Sequence, residues 1–571
     1  MNISCITSNP TKIKQYEELC KRHSSNLCSL VFKTINLSEI QSLHSEEVVR
    51  DTMKQIRRQT KLPFIVDDVS LVIHDGAYPG ALIKHLLQSN TLATLSKFLP
   101  YQTPVDLTCT IGYFDGFNEY LFTGELHGTT NFTAQDPHTQ LTLDQLIQID
   151  DVPLGSIEIH KNHRGKAYEK FVKHLEQVRV ERDAHDALVT DRWSARASSW
   201  ESIREDANSY VNYEQGYARF DLEVQRVLPL IFGNAIDIGC GDGAVTRLLT
   251  SHSGLNEITG IDISPEMTRV ASERTTDSRV RYCVGTFPTS SDTYQLITSR
   301  GVVLSHMHQS EVIPTCTAMS VSLKPNGYLI FDVITDLANH DDSGRMNKNQ
   351  YEKSWIIDLM SELGLVHVSF NGSASHRVST FVFHKPQAQS LYFATGNTTK
   401  VMELQQKCKT HTLHLANIDV PEIKSDDIVE VAKDKARKSF ELLKHPVMVT
   451  DGGIFIHALN GFPGPNSKQA ATLLGAQKIL DLLKDESDRT ATRRNCLVIY
   501  DGKDFQVCVA EVPLTISNEI TDSPYHAYPL DTILIPTDGR NSSKRTYKQM
   551  PIEERVSFTE LPIFEKFIAS R

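Results

Sequence analysis

Residues 235 to 243, AIDIGCGDG, combine a short apolar run with glycines that alternate with other residues. A helix-forming segment, AVTRLLTSH, follows directly. A strand that ends in a glycine turn and leads into a helix is a common nucleotide-binding element of α/β domains, because glycines let the backbone approach a ligand and the helix presents free N–H groups. An acid is then expected about 20 residues on, at the end of the next strand. EITGIDIS places Asp262 there.

The spacing D-x-G-x-G-x-G, followed by the strand-end acid, resembles motifs I and II of class I S-adenosylmethionine-dependent methyltransferases. ITSRGVVLSHM (297–307), LKPNGYLIFDV (323–333) and a closing pair of strands, GLVHVSF with STFVFHKP, resemble later parts of that family in the family's order. The resemblance implies S-adenosylmethionine as the cofactor, with adenine contacted by Thr286 or Asp292. The residues that it assigns to cofactor binding are Asp237, Gly239, Cys240, Gly241, Gly243, Asp262 and Ile263.

Methyl transfer requires positioning of a nucleophile and, for some acceptors, a base. His306 and His308, in LSHMHQ, are candidates for the base, and a structural role is equally open for both. An aromatic-rich segment precedes the glycine motif, and its rings could stack on an acceptor or only pack the segment onto the core. Its aromatic residues are Trp193, Trp200, Tyr210, Tyr213 and Tyr217.

The first and last thirds of the chain resemble each other. ISCITSNPTK (3–12) corresponds to LYFATGNTTK (391–400), and PFIVDDVSLVIHDGAYPGALIK corresponds to PVMVTDGGIFIHALNGFPGPNSK. Matching landmarks in the same order predict a duplicated domain. The paired landmarks are Asn9 with Asn397, Lys12 with Lys400, Asp68 with Asp451, Lys84 with Lys468, Cys109 with Cys496, and Asp144 with Asp531.

These landmarks also resemble the inosine triphosphate pyrophosphatases, which hydrolyse non-canonical purine nucleoside triphosphates. The resemblance implies a triphosphate bound by lysines, Mg²⁺ held by carboxylates, and a water activated by a strand-end aspartate, Asp68 or Asp451. The metal ligands that it implies are Glu39, Asp68, Glu422 and Asp451. The substrate-binding residues that it implies are Asn9, Lys12, Lys84, His163, Arg164, Asn397, Lys400 and Lys468.

Neither copy matches the whole family pattern. The first keeps HKNHRGKAYEKF, with His163 and Arg164 where the family reads the purine, but has Gln15 where the family has glutamate. The second keeps TGNTTKVME and GFPGP, but Phe558 and Thr559 replace the terminal His-Arg pair. The first copy is therefore expected to read the base better, and the second to bind phosphate better.

The composition indicates a globular protein. The net charge of −11 offers no general reason to bind nucleic acid, so we do not expect a nucleic-acid partner. The 10 cysteines lack metal-binding spacings and are expected to be reduced thiols in the cytoplasm. No apolar run is long enough for a membrane span, and the N-terminal MNISCITSNPTK does not read as a signal peptide.

To position these residues, the chain should fold as three α/β domains. We predict a central Rossmann-like, seven-stranded methyltransferase domain at 185–385. It lies between two α/β inosine triphosphate pyrophosphatase-like domains, at 1–180 and 388–571, with the first boundary near 180–188. Because that family commonly forms symmetric dimers, the two copies could pair within one chain.

The sequence thus predicts a bifunctional enzyme. It would transfer a methyl group to a small, nucleotide-related acceptor and hydrolyse non-canonical purine triphosphates to monophosphate and pyrophosphate. The alternative is a methyltransferase whose flanking domains only bind nucleotides or form a pseudo-dimer, which the incomplete motifs favour.

Overall fold

The computed structural model describes the chain from residue 2 to residue 563, with gaps. Among the predicted site residues, Glu39, Lys84, Asn397 and Glu422 lie outside the described residues, as does the side chain of Lys400. The residues outside the description are 1, 24–25, 36, 39, 41, 74–78, 84–100, 132–141, 201–212, 288–290, 337–348, 374–375, 388–389, 397, 408–410, 422, 424, 426, 523–527, 538, 540, 552–553, 556–557, 559–562 and 564–571.

The N-terminal domain is built on one mixed sheet of order β2-β1-β3-β5-β6-β7-β8, with β4 paired to β3. Its strands are β1 (Asn2–Ile6), β2 (Ser29–Lys33), β3 (Phe64–Ile73), β4 (Pro79–Gly80), β5 (Pro104–Phe114), β6 (Glu119–Thr130), β7 (Ile147–Ile149) and β8 (Val152–Pro153). Its helices are α1 (Pro10–His23), α2 (Ser45–Arg57), α3 (Leu143–Leu146) and α4 (His163–Arg196). The β1–β2 and β1–β3 pairs are parallel, and the long β3, β5 and β6 strands are antiparallel.

The central domain has the predicted seven strands, in the order β11-β10-β9-β12-β13-β15-β14. The first five strands in this order are parallel, and the last two form the predicted antiparallel hairpin. The strands are β9 (Gly233–Ile238), β10 (Leu255–Asp262), β11 (Val280–Val284), β12 (Tyr294–Ser299), β13 (Leu323–Ile334), β14 (Val366–Ser373) and β15 (His376–His384). The helices are α5 (Tyr213–Val227), α6 (Ala244–Leu249), α7 (Pro265–Glu273), α8 (Val303–His306), α9 (Gln309–Ser322) and α10 (Lys353–Glu362).

The C-terminal domain repeats the strand order of the N-terminal one, as β17-β16-β18-β20-β21-β22 with β19 paired to β18. The strands are β16 (Ser390–Ala394), β17 (Thr412–Ala416), β18 (Val447–Ile456), β19 (Pro463–Gly464), β20 (Thr490–Tyr500), β21 (Phe505–Ile516) and β22 (Leu534–Pro536). The helices are α11 (Thr398–Lys407), α12 (Ile428–Leu443), α13 (Ser467–Leu473) and α14 (Gly475–Leu482). Short 3-10 segments lie at Leu154–Ser156, Ile159–Lys161, Ala197–Ser199, Leu228–Leu230, His457–Leu459, Pro529–Thr532 and Tyr547–Gln549.

Strand register corrects one of the predicted pairings between the copies. Asp68 and Asp451 each occupy the fifth position of their strand, so they are equivalent. Asp68 lies opposite Thr110 on β5, and Asp451 lies opposite Cys496 on β20. Thr110 is therefore the counterpart of Cys496, and the predicted pairing of Cys109 with Cys496 is wrong by one residue.

Helix α4 joins the first copy to the central domain without a linker. It has 34 residues, which corresponds to about 50 Å at 1.5 Å per residue. Its first turns are buried against the first copy as far as Leu175. The helix then continues through 180–188, where the sequence placed the domain boundary. Near its end, Ser194 Oγ lies 2.9 Å from Ser264 Oγ, which caps α7.

Each flanking copy packs directly on the central domain. The ring of Phe117 in the first copy stacks on Trp355 of α10 at 4.8 Å. The second copy shares an apolar core with the central domain, in which Tyr392 and Val498 join Phe220 and Leu296. Among the described residues, no helix is both long and apolar enough to cross a bilayer.

A buried histidine pair at this shared core makes stability pH-dependent. The rings of His384 and His414 lie 3.7 Å apart, and burial lowers the pKa of His414 to about 3. The unfolded chain protonates His414 below about pH 6.5, whereas the folded chain does not, so stability falls as pH drops below that value by about 1.4 kcal/mol per pH unit.

We expect thermal midpoints measured from pH 7.5 to 5 to fall less for His414→Phe than for wild type, while exposed His127→Gln behaves like wild type. An equal fall in thermal midpoint for wild type and His414→Phe would contradict this role of His414.

Candidate functional site

The glycine turn after β9 has the geometry that the sequence predicts. Gly239, Gly241 and Gly243 have φ values of +65°, +52° and +79°, which favour glycine strongly. A Cβ at Gly243 would lie 2.4 Å from the Tyr282 hydroxyl. A Cβ at Gly241 would meet no described heavy atom within 4 Å, so Gly241 borders open space. A ligand can therefore approach the backbone closely at Gly241.

Asp262 ends β10 next to this turn, as predicted. Its carboxylate accepts hydrogen bonds from the backbone N–H of Gly241 at 2.9 Å and of Ser264 at 2.8 Å. Burial raises the pKa of Asp262, and these two amides oppose the rise. The carboxylate thus holds the glycine turn in place while lining the cavity described below.

Asp237 lies under the turn and is almost fully buried. It accepts hydrogen bonds from the hydroxyls of Thr246 at 2.7 Å and Thr298 at 2.9 Å. Burial raises its pKa to about 6, with the two threonines opposing. Asp237 therefore ties β9 to α6 and β12, and neither threonine was singled out from the sequence.

A cavity of about 590 Å³ lies between the glycine turn and α4. The predicted Asp237, Gly239, Cys240, Gly241, Asp262 and Ile263 all line it. Gly243 is not among the lining residues and instead occupies the N-cap position of α6. Thr286 lines the cavity, whereas Asp292 pairs with Lys385 at 3.0 Å, so Thr286 is the better candidate for the adenine contact. The space, the open face of Gly241 and the acid on the next strand fit an adenosyl compound.

His306 reaches the cavity through a strained turn. Val302, a β-branched residue, has a φ of +54°, which costs on the order of 1–3 kcal/mol. Buried Asp332 holds this turn by accepting the N–H groups of Val302 at 2.6 Å and Gly301 at 3.1 Å. The turn starts α8, which ends at His306. The role of Asp332 could not be predicted from the sequence, because an acid inside a buried strand has no diagnostic spacing.

The two candidate histidines have different surroundings. His306 lines the cavity, and its ring meets Trp193 of α4 edge to face at 5.4 Å. The carbonyl of His306 lies 2.7 Å from His185 Nε2. His308 instead caps α9, with Nδ1 2.8 Å from Ser310 Oγ. Only His306 is placed to meet an acceptor. The aromatic rings of Trp193, Trp200 and Tyr217 line the same cavity, and Tyr210 lies outside the described residues.

The first copy contains a buried ion cluster centred on Asp67. Arg164 donates from Nε and Nη2 to Asp67 Oδ2 at 3.1 and 3.0 Å, and Lys12 Nζ donates to Oδ1 at 3.1 Å. Arg164 also donates to Gln15. Burial alone would raise the pKa of Asp67, but Lys12 and Arg164 outweigh it and hold that pKa at about 2. The lysine predicted for phosphate and the arginine predicted for the base thus both bind this carboxylate.

Other predicted residues of the first copy surround the same cluster. Asp68 follows Asp67 on β3 and is partly buried. Asn9 accepts the N–H groups of Thr11 at 2.9 Å and Lys12 at 3.4 Å, and so orders the start of α1. His163 is buried beside Arg164, and burial followed by that guanidinium lowers its pKa to about 3. His163 is therefore neutral at physiological pH.

The second copy presents a different arrangement. Asp451 Oδ1 accepts the N–H of Gly452 at 2.7 Å, and Lys468 is exposed at the start of α13. Buried Asp531 lies 3.8 Å from both Arg493 and Arg555. Burial raises the pKa of Asp531, and the two arginines oppose the rise.

In the second copy, Phe558, which replaces the family histidine, is buried 6.3 Å from the ring of Tyr547. Within the described part of the chain, no group of three or more His, Cys, Asp or Glu is arranged to hold a metal ion. Two of the four predicted metal ligands, Glu39 and Glu422, are outside that part.

The fold and this cavity define an α/β enzyme in which a methyltransferase-type domain stands between two copies of a second domain. Comparison with known families agrees: a methyltransferase domain model matches residues 235–327, and the Ham1 family model matches 3–174 and 391–559, which is more than half of the chain. The chain belongs to the Ham1 family, and both the duplication and the central methyltransferase domain are confirmed.

Individual relatives and solved structures each cover about a third of this chain. The dITP/XTP pyrophosphatase of Saccharolobus solfataricus is 32% identical over 163 residues, covering 28% of this chain and 82% of that protein. That of Methanopyrus kandleri is 43% identical over 166 residues, covering 28% and 85%. A HAM1 protein structure from Coxiella burnetii, 22% identical, covers 32% of this chain and 97% of its own with a TM-score of 0.28. An S-adenosylmethionine-dependent methyltransferase structure from Mesorhizobium loti, 15% identical, covers 28% and 97% with a TM-score of 0.25.

Proposed function

We propose that the central domain transfers a methyl group to a small, nucleotide-related acceptor. The observation that carries this is the glycine turn, held by Asp262, opening onto the cavity at Gly241. S-adenosylmethionine, when bound, supplies an electrophilic methyl group. The chain's own contribution is to position the two ligands and exclude water, and His306 at the cavity wall is the candidate base.

We further propose that the flanking copies hydrolyse non-canonical purine triphosphates to monophosphate and pyrophosphate, with Mg²⁺. The similarity to proteins named dITP/XTP pyrophosphatases supports this. Asp68 and Asp451, at equivalent strand positions, are the proposed activators of water. None of the nine described cysteines is in a disulfide, in keeping with the proposed cytoplasmic enzyme. Pairing of the two copies within one chain stays a prediction.

One observation favours the alternative for the first copy. Because Lys12 and Arg164 are both bound to Asp67, a triphosphate and a purine would have to compete with that carboxylate for their predicted partners. On this alternative the first copy is a non-catalytic nucleotide-binding or pseudo-dimerisation module, and the competition with Asp67 favours the pseudo-dimerisation role. Incubation with a panel of triphosphates, with and without S-adenosylmethionine, distinguishes the two by the release of pyrophosphate and the formation of methylated product.

Single substitutions identify the active copy. If one copy is active, replacing its aspartate, by Asp68→Asn or by Asp451→Asn, should reduce pyrophosphate release from ITP and XTP by about 100-fold or more. If both copies are active, only the double variant should show the full reduction. Loss of a general base costs on the order of 10²–10⁴ in rate. Exposed Asp485→Asn and Glu169→Gln serve as matched controls in the two copies. If the double variant Asp68→Asn with Asp451→Asn retains the full rate, the hydrolase proposal is wrong.

A further inference from the structure

The cavity extends well beyond the glycine turn, along one face of α4. Arg182, Asp186, Val189 and Trp193 line it at intervals of three and four residues, which is the spacing of a single helix face. This helix starts in the first Ham1 copy, so that copy supplies one wall of the central cavity. The opposite wall comes from the central domain.

Glu311, on α9, faces Asp186 across this part of the cavity. Both side chains line the cavity, and Glu311 is half-buried. Burial, followed by the charge of Asp186 and a hydrogen bond with it, raises the pKa of Glu311 to about 7. The two carboxyls therefore present strong hydrogen-bond acceptors to a ligand in the cavity.

Three arginines also line the cavity, Arg179, Arg182 and Arg300, and the charge of Arg182 opposes the rise in the pKa of Glu311. Arg182 Nη2 lies 2.6 Å from Asp183, which does not line the cavity. Arg300 pairs with Asp221 at 2.9 Å and lies 4.0 Å over the ring of Tyr217.

The same cavity has an aromatic part. Trp193 and His306 line it in edge-to-face contact with each other, and Met307 and Pro314 are also in the lining. Flat rings pack favourably in such surroundings. The compartment therefore combines a ring-binding wall with two carboxyls.

We propose that this compartment binds the methyl acceptor, and that the acceptor is an amine or nitrogen heterocycle that presents N–H groups and carries no phosphate or carboxylate. The proposal rests on the proposed methyltransferase function and narrows its substrate class. N–H groups satisfy the carboxyls of Asp186 and Glu311, whereas a phosphate would be placed against like charge in a partly desolvated site. The acceptor is then a nucleobase-like compound rather than the triphosphate that the flanking copies take.

The test uses the full chain, methyl-labelled S-adenosylmethionine and a small-molecule cell extract separated by ion exchange into cationic, neutral and anionic pools. We expect label to enter the cationic or neutral pool at least about tenfold more than the anionic pool. A tenfold preference corresponds to about 1.4 kcal/mol of differential interaction. Label that enters mainly the anionic pool would overturn the proposal.

Two variants, each with a matched control, locate the effect. Asp186→Asn and Glu311→Gln should each reduce transfer about tenfold or more while leaving the Kd for S-adenosylhomocysteine, measured calorimetrically, within about twofold of wild type. Exposed Asp191→Asn on the same helix and Glu273→Gln on α7 should match wild type in both readouts. Full transfer by both cavity variants would also overturn the proposal.

The remaining outcomes separate this proposal from the function on which it rests. If S-adenosylhomocysteine binds and no pool accepts label, the small-acceptor function fails, and this proposal fails with it. If S-adenosylhomocysteine does not bind the wild-type chain, the donor site itself is wrong.

Discussion

Replacing Gly241 by valine is expected to weaken the binding of S-adenosylhomocysteine by about 100-fold, or about 2.7 kcal/mol. Gly241 has a φ of +52°, and the position of its missing Cβ points into open space at the cavity. A valine side chain would occupy part of the volume that the ligand needs, next to the Asp262 carboxylate. Isothermal titration calorimetry on the full chain measures the effect, with methyl transfer falling in parallel.

Gly364→Val separates the steric effect from backbone strain. Gly364 also has a positive φ, +84°, and a Cβ there would likewise meet no described heavy atom within 4 Å, but it follows α10 outside the cavity. Both variants bear a similar conformational cost of about 1–3 kcal/mol. Only Gly241→Val should lose ligand affinity, and equal affinities in the two variants would contradict the assignment of the turn.

Replacing Arg164 by alanine is expected to destabilise the first copy by about 3 kcal/mol. Breaking a buried ion pair costs on the order of 3–5 kcal/mol, and Lys12 still compensates part of the Asp67 charge. Arg164 and Asp67 have side chains only 7% and 2% exposed. Urea unfolding followed by tyrosine and tryptophan fluorescence measures the loss. Adding Asp67→Asn to Arg164→Ala should restore much of it, since the buried carboxylate is then gone and the remaining charge, on Lys12, is partly exposed. Exposed Arg269→Ala, which breaks surface pairs with Glu266 and Glu273, should leave unfolding unchanged.

The same cluster sets an acid limit on stability. The pKa of Asp67 is about 2 in the folded chain and about 3.9 when unfolded, so its ionisation stabilises the fold above about pH 4, and this stabilisation is lost as pH falls from about 4 to about 2. The contribution is about 2.6 kcal/mol. Arg164→Ala should lack this acid-sensitive part, and a wild-type slope in that variant would show that another carboxyl carries it.

Much of the fold could be predicted from the sequence. The strand, glycine turn and helix around Gly241 can be recognised in the sequence, because a positive φ restricts the turn positions largely to glycine. Asp262 lies where the strand-end acid is expected. The duplication was visible because both copies keep their landmarks in order, and the two sheets share the same strand order.

What the sequence did not show is mostly long-range. The register that aligns Thr110, rather than Cys109, with Cys496 depends on hydrogen bonding between distant strands. The binding of Arg164 to Asp67 joins residues far apart in the chain, and family patterns assigned them separate roles. The pairing of Asp186 with Glu311 exists only because α4 continues from the first copy across the central domain.

The most direct test of this account is hydrogen–deuterium exchange of the full chain with and without saturating S-adenosylhomocysteine. We predict slower exchange in three segments together: residues 239–243 of the glycine turn, 262–264 after β10, and 186–200 at the end of α4. Slowing in all three would place the ligand between the central sheet and the helix from the first Ham1 copy. Unchanged exchange in these segments, or slowing confined to the flanking copies, would contradict it.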